Sequence, residues 1–281
     1  MKSNRLLITG FEDLSKYSAN STRIIHKNIA RNHRLAKAYG WDIFHMDNHT
    51  GVNGTSHFLS DDFPLAKSVI FSEKSGWAER SDFARLYAML ERENDGYGVF
   101  SWLDADVFLL KPKLFFERSY AEGLYAPKEP WFKQSLIEES ETFVPVKQEQ
   151  ANGVLVASGA KGMRMIALML EVMKFIGEYG DPEVRPWAQF GPKILTRLNA
   201  MDYTTINDGK GPQRRERILS VYSDIGSLLT NTISINKYIK RHGFPQALQS
   251  TNMNDCNFVN MTPSSVEDIS MIYEQLLEIS S

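Results

Sequence analysis

Blocks of apolar and polar residues follow one another along the chain, and the period changes from block to block. Arg5–Gly10 (RLLITG) is a short apolar run closed by glycine, the pattern of a first buried strand followed by a loop. Residues 20–40 (NSTRIIHKNIARNHRLAKAYG) space their apolar side chains as a helix does, with Asn20 or Ser21 as N-cap and Gly40 as the stop. Trp41–Asp47 (WDIFHMD) predicts the next strand, and residues 48–64 a polar loop. A second helix is expected over residues 78–93, ended by Asn94-Asp95-Gly96. GYGVFSWL then runs into Asp104 as a fully buried strand. Strand, helix, strand, helix, strand predicts an α/β domain with a mostly parallel central sheet flanked by helices.

Beyond Asp106 the pattern is less regular. Pro127 and Pro130 bracket a stretch with Trp131 and Phe132, expected as a surface loop over a site. NGVLVASG (152–159) is a strand candidate that feeds a long apolar helix over residues 163–177. TINDGKGPQRRER (205–217), rich in glycine and basic residues, reads as a mobile lid. Residues 264–279 read as a C-terminal amphipathic helix capped by Ser264 or Ser265. With no repeat and no linker, the chain is expected to form one domain. Its first half covers about 1–112, and its second half, with the lid, about 113–260.

Composition narrows the function classes. With 281 residues the chain can bury a large core without disulfide or metal. The 32 basic and 34 acidic side chains give a net charge of −2, so nothing global points to nucleic acid. One cysteine, Cys256, excludes an internal disulfide framework and fits a reducing compartment. The N-terminal apolar run is too short for a signal peptide, and residues 163–177 carry Arg164, Glu171 and Lys174, so a cytoplasmic protein is expected.

Asp104-Ala105-Asp106 is the chemical focus. An Asp-x-Asp spacing arises about once by chance in a chain with this many aspartates, but this one ends a strongly apolar strand. Ligand sites of α/β sheets lie at the carboxyl ends of strands, and two acids on the turn after a strand can converge on one hard cation. A solvated turn with Asp as turn former is the structural alternative. Asp82 and Arg85, at i and i+3 on the preceding helix, share a face, and a forked guanidinium suits a sugar hydroxyl or a diphosphate. A plain surface ion pair is the competing reading.

The stretch WAERSDFARLYAMLERENDGYGVFSWLDADVFLLKP (77–112) resembles nucleotide-sugar glycosyltransferases of the type-A fold with an Asp-x-Asp motif. The nearest pattern is that of the sugar-binding-region family: initiating mannosyltransferases, capsular-polysaccharide glycosyltransferases and the glucosyltransferase domains of bacterial toxins. Ser81, Asp82 and Arg85 match its helix motif, and Trp102, Asp104 and Asp106 its strand end. The resemblance implies that Asp82 and Arg85 hold the donor sugar and that Trp102 contacts the nucleoside. It also implies Mn²⁺ or Mg²⁺ on Asp104 and Asp106, a UDP- or GDP-sugar donor, and a glycan or lipid-linked acceptor. Looser matches place Asn152 and Gly153 in a substrate-binding Asn-x-Gly-Val-like segment, and Gln189, before Gly191-Pro192, beneath the anomeric carbon. His242, in a Lys-Arg-His run, matches the habit of relatives that supply a third metal ligand late in the chain, although an exposed basic run is the alternative. Arg214 and Arg215, with Lys210 and Arg217, are the lid cations expected to meet the diphosphate. The resembled families retain anomeric configuration, which demands no dedicated general base.

Two other readings compete. A strand ending Asp-x-Asp-Val also resembles the nucleophile motif of haloacid-dehalogenase-type phosphatases, but that motif normally sits on the first strand. A non-catalytic module of the same fold is the other, with the C-terminal helix docking a partner; the plainer account of that helix is packing on its own core or in a homodimer. Arg23, Lys27, Arg31, Arg34 and Lys37 form a basic stripe on the first helix, either a solvated face or a peripheral contact with anionic lipid. His26 and His33, seven apart on that helix, read as surface or packing residues.

Overall fold

β-branched and aromatic runs at Arg5–Gly10 (β1), Asp42–Met46 (β2) and Val99–Asp104 (β3) pair in parallel, with Gly10 level with both Met46 and Asp104. The carboxyl ends of all three strands therefore meet at one edge. The computed structural model describes residues 3–10, 14, 17–46, 76–134, 143–150, 153–185, 189–195, 217–220, 256–261 and 269–280, with backbone only for 76–77, 128–134, 143–150, 217–220 and 256. Val154–Ser158 (β8) joins β3 antiparallel, and Gly123–Tyr125 (β5) pairs antiparallel with β8, giving the order β2-β1-β3-β8-β5. Only β8 runs against the others, so the sheet is mixed but mostly parallel, as the chain's periodicity predicts.

Helices cover both faces. Ala19–Ala38 (α1) lies on one side; Gly76–Glu91 (α2) and Gly159–Tyr179 (α4) pack on the other. Strand alternation sorts the core accordingly. Leu6, Ile8, Phe100, Trp102 and Leu155 join Phe83, Met89, Ile166 and Met173 in one cluster, while Leu7, Leu103, Val154 and Val156 join Ala36, Trp41 and Phe115 in the other. Asp104, two residues after Trp102, belongs to the face that α2 covers.

A second five-stranded sheet was not foreseen. Its order is β4-β10-β9-β6-β7, built from Val107–Leu109 (β4), Lys128–Gln134 (β6), Phe143–Gln150 (β7), Arg217–Ser220 (β9) and Cys256–Asn260 (β10). The expected surface loop around Trp131 and Phe132 is thus strand β6, paired antiparallel with β7. Pro130 and Pro145 disguised it, because proline is tolerated in strands chiefly at edges and bulges; β7 is an edge strand and the register shifts between Trp131 and Phe132. Arg217, placed at the end of the expected lid, pairs with Lys128 and Cys256 in this sheet; residues 205–216 lie outside the described residues.

Helix ends moved as well. The cap of α1 is Ser18, whose hydroxyl accepts from the Ser21 amide, rather than Asn20 or Ser21. Gly40 follows with φ +74°, the left-handed stop the sequence predicts. A short helix, Pro112–Phe116 (α3), was also missed. The C-terminal helix is described over Ser270–Ser280 (α5), with residues 262–268 outside the described set. Ile272, Tyr273 and Leu276 are buried, Tyr273 meets Phe108 edge to face at 5.7 Å, and Ser280 accepts from Arg31. That apolar face is spent on the chain's own core. No described helix is long and apolar enough to cross a membrane.

Candidate active site

β3 ends in Asp104, Ala105-Asp106 forms a turn, and β4 begins at Val107 in the other sheet. The Asp-x-Asp turn is therefore the link between the two sheets, at the carboxyl edge where ligand sites of α/β folds lie. Its backbone is held on two sides: the Asp104 amide donates to the Gly153 carbonyl at 2.8 Å, and the Met261 amide donates to the Asp106 carbonyl at 2.9 Å.

Asp104 is gripped by both neighbours that strand and helix periodicity deliver. Trp102, on the same strand face, donates its indole Nε1–H to Asp104 Oδ1 at 2.5 Å. Arg85 of α2 places Nη1 3.4 Å from Asp104 Oδ2 and Nη2 3.4 Å from Asp82 Oδ1, so one guanidinium bridges two carboxylates. Ser81 completes its fork: the hydroxyl accepts from Nη2 at 2.9 Å and the carbonyl from Nε at 3.3 Å. The Arg85 side chain is 6% exposed, against 20% for Asp104. This is a buried ion-pair chain with one open end, and the open end is the Asp-x-Asp aspartate.

Trp102 itself has no exposed surface. The resemblance implies contact with the nucleoside; in this structure the ring packs in the core and its polar edge orients Asp104. The intrahelical Asp82–Arg85 pair is likewise no surface feature, since both residues are buried. Gly153, at the start of reversed strand β8, arrives beside the turn because β8 runs antiparallel to β3. Gln189 is mostly buried next to Phe190, which packs in the cluster that holds Phe83 and Trp102. No contact of its amide with Asp82, Arg85 or Asp104 is seen among the described residues. Asn152, Arg214, Arg215, Lys210 and His242 lie outside the described residues.

The residues present fit a hard divalent cation. Asp82, Asp104 and Asp106 against Arg85 leave this set two charges negative, and carboxylate oxygens are the donors Mg²⁺ and Mn²⁺ prefer. Space is reserved as well: a Cβ at Gly153 would stand 3.0 Å from Asp104 Oδ2 and 3.4 Å from Val107 Cγ2. Among the described residues no group of three His, Cys, Asp or Glu side chains is placed to hold a metal ion.

Elsewhere, Arg31 leaves the basic stripe. Its guanidinium donates to the Leu109 carbonyl at 3.1 Å and to Ser280, and lies 4.0 Å from the Phe108 ring; burial pulls its pKa down. Arg23, Lys27, Arg34 and Lys37 remain exposed. His33 is a packing residue: its Nε2 is 2.8 Å from the Thr9 hydroxyl, which also meets His45 Nδ1 at 2.7 Å.

No family model matches the chain, and no curated protein matches it. Among solved structures it is similar to a glycosyltransferase involved in glycosylation of the major capsid of PBCV-1, at 11% identity over 98% of both chains with a TM-score of 0.40. It is also similar to the galactosyltransferase LgtC in complex with donor and acceptor sugar analogues, at 14% identity over 98% of this chain and 95% of that one, TM-score 0.41. A third is mouse xyloside xylosyltransferase 1 in its apo form, at 14% identity over 93% and 98%, TM-score 0.40. At these values the likeness transfers no residue role to this chain.

Proposed function

We propose that this protein is a metal-dependent, retaining glycosyltransferase that moves a hexose from a UDP- or GDP-sugar to a hydroxyl of a glycan or lipid-linked acceptor, in cytoplasmic assembly of a surface polysaccharide. The observation that supports it most is the Asp82–Arg85–Asp104 ion-pair chain, tied by Trp102 and opening on the Asp-x-Asp turn at the sheet's carboxyl edge.

Asp104 and Asp106 hold the cation, and Arg85 with Trp102 fixes which way Asp104 faces. Mn²⁺ or Mg²⁺ bound there supplies neutralisation of charge on the departing diphosphate. Asp82 and Arg85 are assigned to the donor sugar, Gln189 to the region of the anomeric carbon, and Asn152 with Gly153 to substrate. Arg214 and Arg215 add positive charge and His242 a third ligand. In the transfer, the bond from the anomeric carbon to the diphosphate oxygen breaks and one to the acceptor oxygen forms; the acceptor proton passes to the leaving phosphate.

The phosphatase reading fits less well, because its nucleophile motif normally closes the first strand, whereas Asp104 closes β3. The test is turnover. With Mn²⁺, the chain is expected to release nucleoside diphosphate from one member of a UDP- and GDP-sugar panel, and Asp104→Asn to abolish it. Turnover of p-nitrophenyl phosphate with every nucleotide sugar left intact would replace the proposal with the phosphatase.

A further inference from the structure

Two buried amides of α1 close on the Asp-x-Asp turn from the face opposite α2. Asn28 Nδ2 donates to the Ala105 carbonyl at 2.8 Å and to the Val107 carbonyl at 2.9 Å; Asn32, one turn later, donates to the Val107 carbonyl at 3.1 Å. Both side chains are almost fully buried, at 0% and 1% exposure. The carbonyls they hold flank Asp106 on either side.

A primary amide suits this task. Its single nitrogen carries two hydrogens, so one Asn28 head group spans carbonyls two residues apart, which a hydroxyl cannot do. The arrangement is costly elsewhere: Oδ1 of both asparagines is buried without a partner among the described residues. An orphaned buried acceptor costs about 1–3 kcal/mol. Apolar residues would pack this helix face without that cost but would take the amide donors from the Ala105 and Val107 carbonyls, so the two asparagines are tied to the backbone of this turn.

With Met261 on the Asp106 carbonyl and Gly153 on the Asp104 amide, the backbone from Asp104 to Val107 is held at four points by α1 and two other segments. We infer that Asn28, seconded by Asn32, is a positioning residue that sets the spacing of the Asp104 and Asp106 carboxylates for their cation. This rests on the metal-dependent reading above. Groups that hold a metal's ligands in place typically change affinity 10–100-fold when removed.

The test is Mn²⁺ titration of the full chain followed by water-proton relaxation, without nucleotide or turnover. Asn28→Ala is expected to weaken Mn²⁺ about tenfold and Asn32→Ala, which loses one donor of three, about threefold. Phe116→Leu is the packing control. Phe116 lies at the amino end of the sheet, where its carbonyl accepts from Arg5 and Trp41; the variant should melt earlier yet bind Mn²⁺ as the wild type does. Should Asn28→Ala not fold, Asn32→Ala decides. Wild-type affinity in the asparagine variants, with Asp106→Asn losing the ion, would overturn the positioning role alone. A wild type that takes up no Mn²⁺ would overturn both this inference and the metal-dependent reading.

Discussion

Arg85 carries more of the account than any other single side chain. A guanidinium fork reaches two carboxylates and a hydroxyl at once, whereas the point charge of lysine cannot. Arg85→Lys is therefore expected to leave one of Asp82 and Asp104 poorly compensated while buried, and breaking such pairs costs about 3–5 kcal/mol; urea denaturation reads the loss directly. Gly153→Ala probes the open flank of Asp104. Its Cβ would crowd Oδ2 at 3.0 Å, so donor and cation binding should fall while the melting temperature barely moves. Asp82, Arg85 and Asp104 were legible in the sequence, because helix and strand spacing place them and the residue types name the chemistry. Asn28 and Asn32 were not read, although they stand on the apolar face of α1 between Ile24, Ile25, Ile29 and Ala36, where a polar residue is itself a clue. Trp102 was read as an aromatic contact; only the burial of its ring revealed an N–H donor to Asp104.

Elements differ in how openly they announce themselves. β1, β2, β3, α1 and α2 were readable because their apolar runs are bounded by glycine and capping residues, and those elements frame the candidate site. β6 and β7 carry prolines and few aliphatic residues, so they pair with each other without a strand-like apolar pattern, and β4 spans only Val107–Leu109 and pairs with the distant β10. α1 also holds a pH-dependent device. Thr9 of β1, His33 of α1 and His45 of β2 share one hydroxyl, and burial, helped by His45 and Lys37, lowers the His33 pKa from 6.5 to about 4. Between those values the unfolded chain binds a proton that the folded chain refuses, so this contribution is complete above pH 6.5 and is lost as pH falls towards 4. Melting temperature followed across that window should drop for the wild type and drop less for His33→Gln.

Among the described residues, two sheets are joined at the Asp-x-Asp turn, with helices on both faces of the first. That first, mostly parallel sheet was foreseen; the second was not, since β4, β6, β9 and β10 come from segments scattered between residues 107 and 260. The C-terminal helix, for which packing on its own core was the plainer sequence reading and docking the other, lays its apolar face on α1 and β4, and Arg31 is withdrawn from the basic stripe to hold it there. The proposed function requires the joining turn to bind a nucleotide through a cation. Melting temperature across a panel of nucleoside diphosphates and nucleotide sugars, with and without Mn²⁺, tests it most directly on the wild type and Asp106→Asn. A ligand at one hundred times its dissociation constant stabilises by about 2.7 kcal/mol, a shift of several degrees. One nucleotide should raise the wild-type melting temperature only when Mn²⁺ is present, and Asp106→Asn should abolish the rise. A wild type that no nucleotide stabilises, with or without Mn²⁺, would rule out metal-dependent nucleotide binding at this turn.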